Sequence, residues 1–239
     1  MCIRDRFNSK FDGEVVTAND AQALADKLAA DVAGWLQQGI DDRGSATLVV
    51  SGGSTPAPFF KALSLHQIQW SDVIVTLADE RWVAADDELS NEKLIRECLL
   101  VNAASSATFL SLYNDASTPD DGWQQCDDAL RTLATPYDVV VLGMGGDGHT
   151  ASLFPATKGL DAACDLTTDR LCWPMYPEHI TEARMSLTLA ALLNCRQLIL
   201  HVTGESKRDV FELALDGADL PIASVVEAAR SRLQLYWAA

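Results

Sequence analysis

The chain has 239 residues, 48% of them hydrophobic, enough for one large globular domain with an ample core. Its formal net charge of −16 argues against a nucleic-acid partner, whose phosphates it would repel, but a local cationic pocket can still hold a small anion. No apolar run is long enough to span a bilayer and the N-terminus lacks a secretory apolar region, so a cytoplasmic protein without a membrane partner is expected.

In chain order, residues 1–10 open with Met1-Cys2-Ile3-Arg4-Asp5-Arg6, which has no periodic pattern, and are read as foreign or disordered sequence. Residues 19–38 place Leu24, Leu28, Val32 and Leu36 on one face and predict an amphipathic helix capped by Gly39. Residues 46–50 read as a strand, followed by the glycine loop Ser51-Gly52-Gly53-Ser54-Thr55. Pro56 then suits the first turn of a helix reaching about residue 65. A strand is expected at 73–77, and a helix from Ser90, its N-cap, to residue 100, with Lys93 where a capping box would have Glu. A strand at 109–112 and a helix at 120–133 follow. Residues 138–142 form an apolar run typical of a buried parallel strand. Strands at 185–189, 198–202 and 233–237 and helices at 190–194 and 205–215 complete the chain. The alternation predicts an α/β single domain with a mainly parallel, Rossmann-like sheet covered by helices on both faces. No repeat or linker marks a domain boundary, so residues 11–239 are taken as one unit.

The chemistry concentrates where strands end. The stretch Leu142-Gly143-Met144-Gly145-Gly146-Asp147-Gly148-His149 follows the apolar run at 138–142, and its glycines let the backbone fold tightly and approach a ligand closely. An open α/β sheet places its chemistry just past the C-terminal edges of its strands, and imidazole moves protons near neutral pH. His149 is therefore a candidate base, and a packed-core role for it is weak because its neighbours Gly145, Gly146, Asp147 and Gly148 form no apolar face. The loop Ser51-Gly52-Gly53-Ser54-Thr55 joins a strand to a helix N-terminus, where backbone N–H groups bind anions; from the loop alone, an anion site and a plain tight turn are equally good readings. Asp79, Glu80 and Arg81 follow a strand and face either the crevice or a salt-bridged turn. Lys207 lies at a helix start, unfavourable for a cation without an anionic partner, although a lone Lys there is more often a solvated surface charge. Arg184 reads equally as an edge-strand charge, and Asn91 as a helix cap. His66, His179 and His201 look ordinary. The six cysteines lack CxxC spacing and read as free, mostly buried thiols. No pair of Cys or His has ligand spacing, so no metal and no other cofactor is expected.

Four motifs, Val50-Ser51-Gly52-Gly53-Ser54-Thr55-Pro56, Leu77-Ala78-Asp79-Glu80-Arg81-Trp82-Val83, the His149 loop through Pro155, and Thr203-Gly204-Glu205-Ser206-Lys207-Arg208, together resemble the 6-phosphogluconolactonase family. The likeness runs from about Phe11 to Trp237 and leaves residues 1–10 as a non-family segment. It implies hydrolysis of 6-phospho-D-glucono-1,5-lactone in the oxidative pentose phosphate pathway, with His149, Asp147 and Arg81 as catalytic residues. It implies a substrate and phosphate site of Ser51, Gly52, Gly53, Ser54, Thr55, Asp79, Asn91, Gly146, Arg184 and Lys207, in which Arg184 and Lys207 grip the 6-phosphate. Arg81 would orient sugar hydroxyls or offset charge at the lactone carbonyl. Whether Asp147 pairs with His149 across an i, i+2 spacing stays open. The expected partner is a small phosphosugar lactone, and the assembly a monomer or weak homo-oligomer. The wider superfamily includes glucosamine-6-phosphate isomerase/deaminase, but its motif carries a Glu where this chain has Phe154, and an aromatic residue where it has Arg81. A sugar-phosphate sensing module is a weaker alternative, because no basic helix-turn-helix is present.

Overall fold

The computed structural model describes residues 10–178 and 180–239. The segment expected to be foreign or disordered, 1–10, lies outside these apart from Lys10, and so does His179. Strand β1 (Glu14–Thr17) is followed by helix α1 (Ala21–Arg43), β2 (Ala46–Val50), α2 (Ala57–Leu63), β3 (Val73–Leu77) and β4 (Asp79–Arg81). Next come α3 (Asn91–Cys98), β5 (Thr108–Leu110), α4 (Pro119–Leu130), β6 (Tyr137–Leu142), α5 (Leu160–Cys164), β7 (Cys172–Met175) and β8 (Arg184–Leu187). The chain ends with α6 (Leu189–Leu193), β9 (Cys195–Thr203), α7 (Glu205–Leu215), α8 (Pro221–Ala229) and β10 (Leu233–Ala238).

Seven strands form one sheet in the order β1-β10-β9-β6-β2-β3-β5, and every pairing in it is parallel. All residues of β2 and β6 are buried, so helices cover both faces of the sheet centre, as continuous Val/Leu strands require. The order places a topological switch point between β2 and β6: from β2 the chain moves outward to β3, and from β6 it moves the other way to β9. The loops leaving β2 and β6 therefore diverge and open a crevice at the strand C-termini.

Two departures from the sequence expectation have local causes. Helix α1 runs past Gly39 to Arg43, because Ile40 continues its buried stripe, and Gly44, at φ +81°, closes it with an N–H donated to the Ile40 carbonyl at 2.7 Å. Gly39 serves close packing instead: a Cβ there would come within 3.1 Å of Ala46. The strand expected at 185–189 is β8, displaced by a residue and lying outside the main sheet. It is the middle strand of a second, antiparallel sheet, β4-β8-β7, whose three- and four-residue strands are too short to show a period. The five cysteines among the described residues are free, three of them buried.

Candidate active site

The crevice between the β2 and β6 loops is a cavity of about 210 Å³. Its walls bring together the expected residues Ser51, Gly52, Gly53, Ser54, Thr55, Asp79, Arg81, Asn91, His149, Arg184 and Lys207. Asp147 and Gly146 do not line it.

Asp147 stands behind His149. Its Oδ1 lies 2.5 Å from His149 Nδ1 and accepts from the His149 backbone N–H at 3.1 Å, so the i, i+2 pair left open by the sequence forms directly. Burial on its own would raise the Asp147 carboxyl, but the hydrogen bonds and charge of His149 win and hold it below the usual carboxylate value. A carboxylate only accepts, so Nδ1 carries the proton and the lone pair is left on Nε2. The loop makes room for this pair by having no side chain at Gly145, where a Cβ would sit 2.1 Å from His149 Cε1 and 2.7 Å from Asp147 Oδ1. Phe154 closes the other side: its ring lies 4.2 Å from the imidazole, tilted by 33°, and 5.1 Å below the Arg184 guanidinium.

The small antiparallel sheet aligns two cations. Its register sets Arg81 directly opposite Arg184 and Asp79 opposite Ser186. Like charges facing each other across a strand pair are unfavourable unless an anion joins them. Arg184 is not the edge-strand surface charge that its sequence context allowed. It is only 8% exposed on a central strand, held by Asp79 at 3.6 Å, and burial first, then Arg81, lower its affinity for its proton. Asp79 is fixed in turn by the Ser152 hydroxyl at 2.5 Å. Arg81 Nη1 donates to the Leu89 carbonyl at 2.9 Å and to Asn91 Oδ1 at 2.6 Å. Asn91 is thus no simple cap. Ser90 caps α3 by accepting from the Lys93 N–H, while Asn91 donates to the Asp79 carbonyl and packs on Gly52, where a Cβ would meet its Oδ1 at 1.9 Å.

Glu80, absent from the expected site, is its hidden brace. Wholly buried, it accepts from the backbone N–H groups of Arg81, Asn91 and Glu92 and from the Ser90 hydroxyl, tying β4 to the start of α3. Burial pushes its carboxyl up to about 7 against the pull of those four bonds. On the opposite wall, Lys207 Nζ reaches Thr55 Oγ1 at 3.3 Å, and burial lowers its affinity for its proton. No carboxylate among the described residues forms an ion pair with it. The cleft lining offers three cations, backbone N–H groups, hydroxyls and an oriented imidazole. Among the described residues no three His, Cys, Asp or Glu side chains group as a metal would need.

A family model for glucosamine-6-phosphate isomerases/6-phosphogluconolactonase matches residues 19–237. The chain belongs to that family. It is 46% identical to a 6-phosphogluconolactonase of Mesorhizobium japonicum over 220 residues, covering 92% of each chain. It is 43% identical to one from Rhizobium meliloti, covering 90% of this chain and 94% of the relative. Its fold superposes on the crystal structure of a 6-phosphogluconolactonase from Shewanella baltica with a TM-score of 0.92 at 44% identity, covering 95% of this chain and 98% of the other. The Phe154 ring fills the space beside His149, so no side chain at position 154 can share proton transfer with the imidazole. The cleft residues that sequence reasoning passed over, Pro56, Gly143, Met144, Gly145 and Ala151, belong to the same two loops and contribute shape and backbone rather than titratable groups.

Proposed function

We propose that this chain hydrolyses 6-phospho-D-glucono-1,5-lactone to 6-phospho-D-gluconate. The observation that carries the reading is an Asp147-oriented imidazole lining the same cleft as Arg81, Arg184 and Lys207 in an otherwise acidic protein. The names of the relatives support the same substrate.

In the reaction the 6-phosphate docks on the Ser51–Thr55 loop, Arg184 and Lys207, where charge-assisted bonds are strongest. Helix α2, with seven residues, is short, so the grip rests on the loop and the cations rather than on a helix dipole. His149 Nε2 takes a proton from water as the water oxygen attacks C1. The carbonyl π pair moves to oxygen, and Arg81 offsets the developing charge. When that pair returns, the bond from C1 to the ring oxygen breaks, and protonated His149 gives its proton to the departing oxygen. Asp147 stabilises the imidazolium between the two steps. The proton that enters from water leaves on the sugar hydroxyl, so no cofactor or covalent intermediate is required.

The test follows lactone disappearance and ammonia release from glucosamine 6-phosphate with one preparation. Accelerated lactone hydrolysis without ammonia is expected. Ammonia release without lactonase activity would overturn the assignment.

A further inference from the structure

Adjoining the cleft is a second, smaller space of about 10 Å³, lined by Ser51, Pro56, Val141, Leu142, Gly143 and His201. Ser51, Pro56 and Gly143 also line the cleft, so the two spaces adjoin along these residues. His201 stands one layer further in, on β9, in the run Leu198-Ile199-Leu200-His201-Val202. Every neighbour in that run is aliphatic, as a strand buried on both faces demands. The imidazole is only 3% exposed, and its ring centroid lies 6.2 Å from that of Phe59 with the planes at 72°. Neither of its nitrogens has a hydrogen-bond partner, and neither has Ser51 Oγ, which opens on the same space. Buried polar atoms left in that condition are costly, and a hydroxyl oxygen and an imidazole on one small void point to a water shared between Ser51 Oγ and one ring nitrogen. The space is of the size that holds a single water, which needs two to four polar partners. Burial, and then the charge of Lys207, push the imidazole down to about 4. It is therefore neutral in the working range, with one nitrogen donating and the other accepting.

We propose that His201 is a positioning residue for the phosphate loop: with Ser51 it binds one buried water that donates to Ser51 Oγ and turns the Ser51 O–H outward, toward an anion in the cleft. The inference rests on the proposed phosphate site. It assigns a task to a histidine remote from the reacting atoms, acting through the water and the loop. An aliphatic residue at 201 would fill the sheet as well but would leave Ser51 free to point its proton inward.

His201→Phe keeps the ring and removes both nitrogens. Titration calorimetry with 6-phosphogluconate is expected to give binding about 2- to 10-fold weaker, the loss typical of one neutral hydrogen bond. KM should rise by the same factor while kcat stays parental, a split that general loosening of the fold would not produce. Ser51→Ala should lose a similar factor, and Ser51→Ala combined with His201→Phe should be no worse than Ser51→Ala alone. His201→Gln, which restores a donor and an acceptor, should recover part of the loss. A high-resolution crystal structure of the parent should place one ordered water within hydrogen-bond distance of Ser51 Oγ and an imidazole nitrogen. Parental binding by His201→Phe, additive losses in the double variant, or a parent crystal without that water would each overturn the proposal. If His201→Phe does not fold, His201→Gln and the parent crystal decide. A parent that neither hydrolyses the lactone nor binds 6-phosphogluconate would instead refute the functional reading, with the water still decided by the crystal.

Discussion

At the scale of single residues, the proposed mechanism divides the site into a group that moves a proton and groups that hold charge. His149→Ala removes the base while leaving the phosphate grip, so kcat should fall by about 10²–10⁴-fold with little change in 6-phosphogluconate affinity or thermal midpoint. Asp147→Asn should also lower kcat and leave KM near the parental value, because an amide no longer fixes the proton on Nδ1. Steady-state kinetics on the two variants decide this, and near-parental kcat in His149→Ala would place water activation elsewhere. Lys207→Ala and Arg184→Ala should each weaken substrate binding by roughly 10- to 150-fold, the loss of one charge-assisted contact, read as KM for the phosphorylated lactone. Unphosphorylated gluconolactone should be a poor substrate of the parent and should not separate the variants. His149, Arg81, Lys207 and the Ser51–Thr55 loop were legible in the sequence because each sits beside a strand end that its own motif marks. Glu80, Ser152 and His201 were not, because nothing in a linear sequence says which buried polar atom faces which.

At the scale of elements, two predictions separate site geometry from stability. Gly145 carries the imidazole–carboxylate pair on its bare backbone, and its φ lies outside the region reserved for glycine. Gly145→Ala should therefore cost activity through displacement of His149, not through backbone strain. A large loss of kcat with an unchanged circular dichroism spectrum is expected, and parental kcat would refute the close contact. Ser90 both caps α3 and donates to Glu80 Oε2 at 3.0 Å. Ser90→Ala should lower stability by about 1–2 kcal/mol, measured as the urea midpoint. KM should rise as well, because Asn91 and Arg81 depend on the start of that helix. The long helix α1 and the strands β2, β3 and β6 were readable because their apolar periods persist over enough residues to exclude other readings. β4 and β7 are pieces of three and four residues whose pairing is decided by distant partners, β8 above all.

At the scale of the whole molecule, a net charge of −16 surrounds a cleft that holds Arg81, Arg184 and Lys207. The two fields act over different distances. The surface charge has to act across distances longer than the Debye length of about 8 Å at physiological ionic strength and is therefore screened by salt, whereas the cations act at contact. Raising ionic strength from low to physiological values should therefore increase kcat/KM for the dianionic substrate, and a steep decrease would show that the cations also steer the approach. Fold class and the order of most elements were determined by the sequence itself, because burial on both faces imposes aliphatic runs and tight turns impose glycines at their ends. The direct pairing of Asp147 with His149, the alignment of Arg81 against Arg184, the bracing of both walls by Glu80 and Asp79, and the placing of His201 behind Ser51 were decided only by the tertiary structure. Each is a contact between side chains whose relative position depends on sheet order, register and packing, and those are set by the folded chain as a whole rather than by any one segment of it.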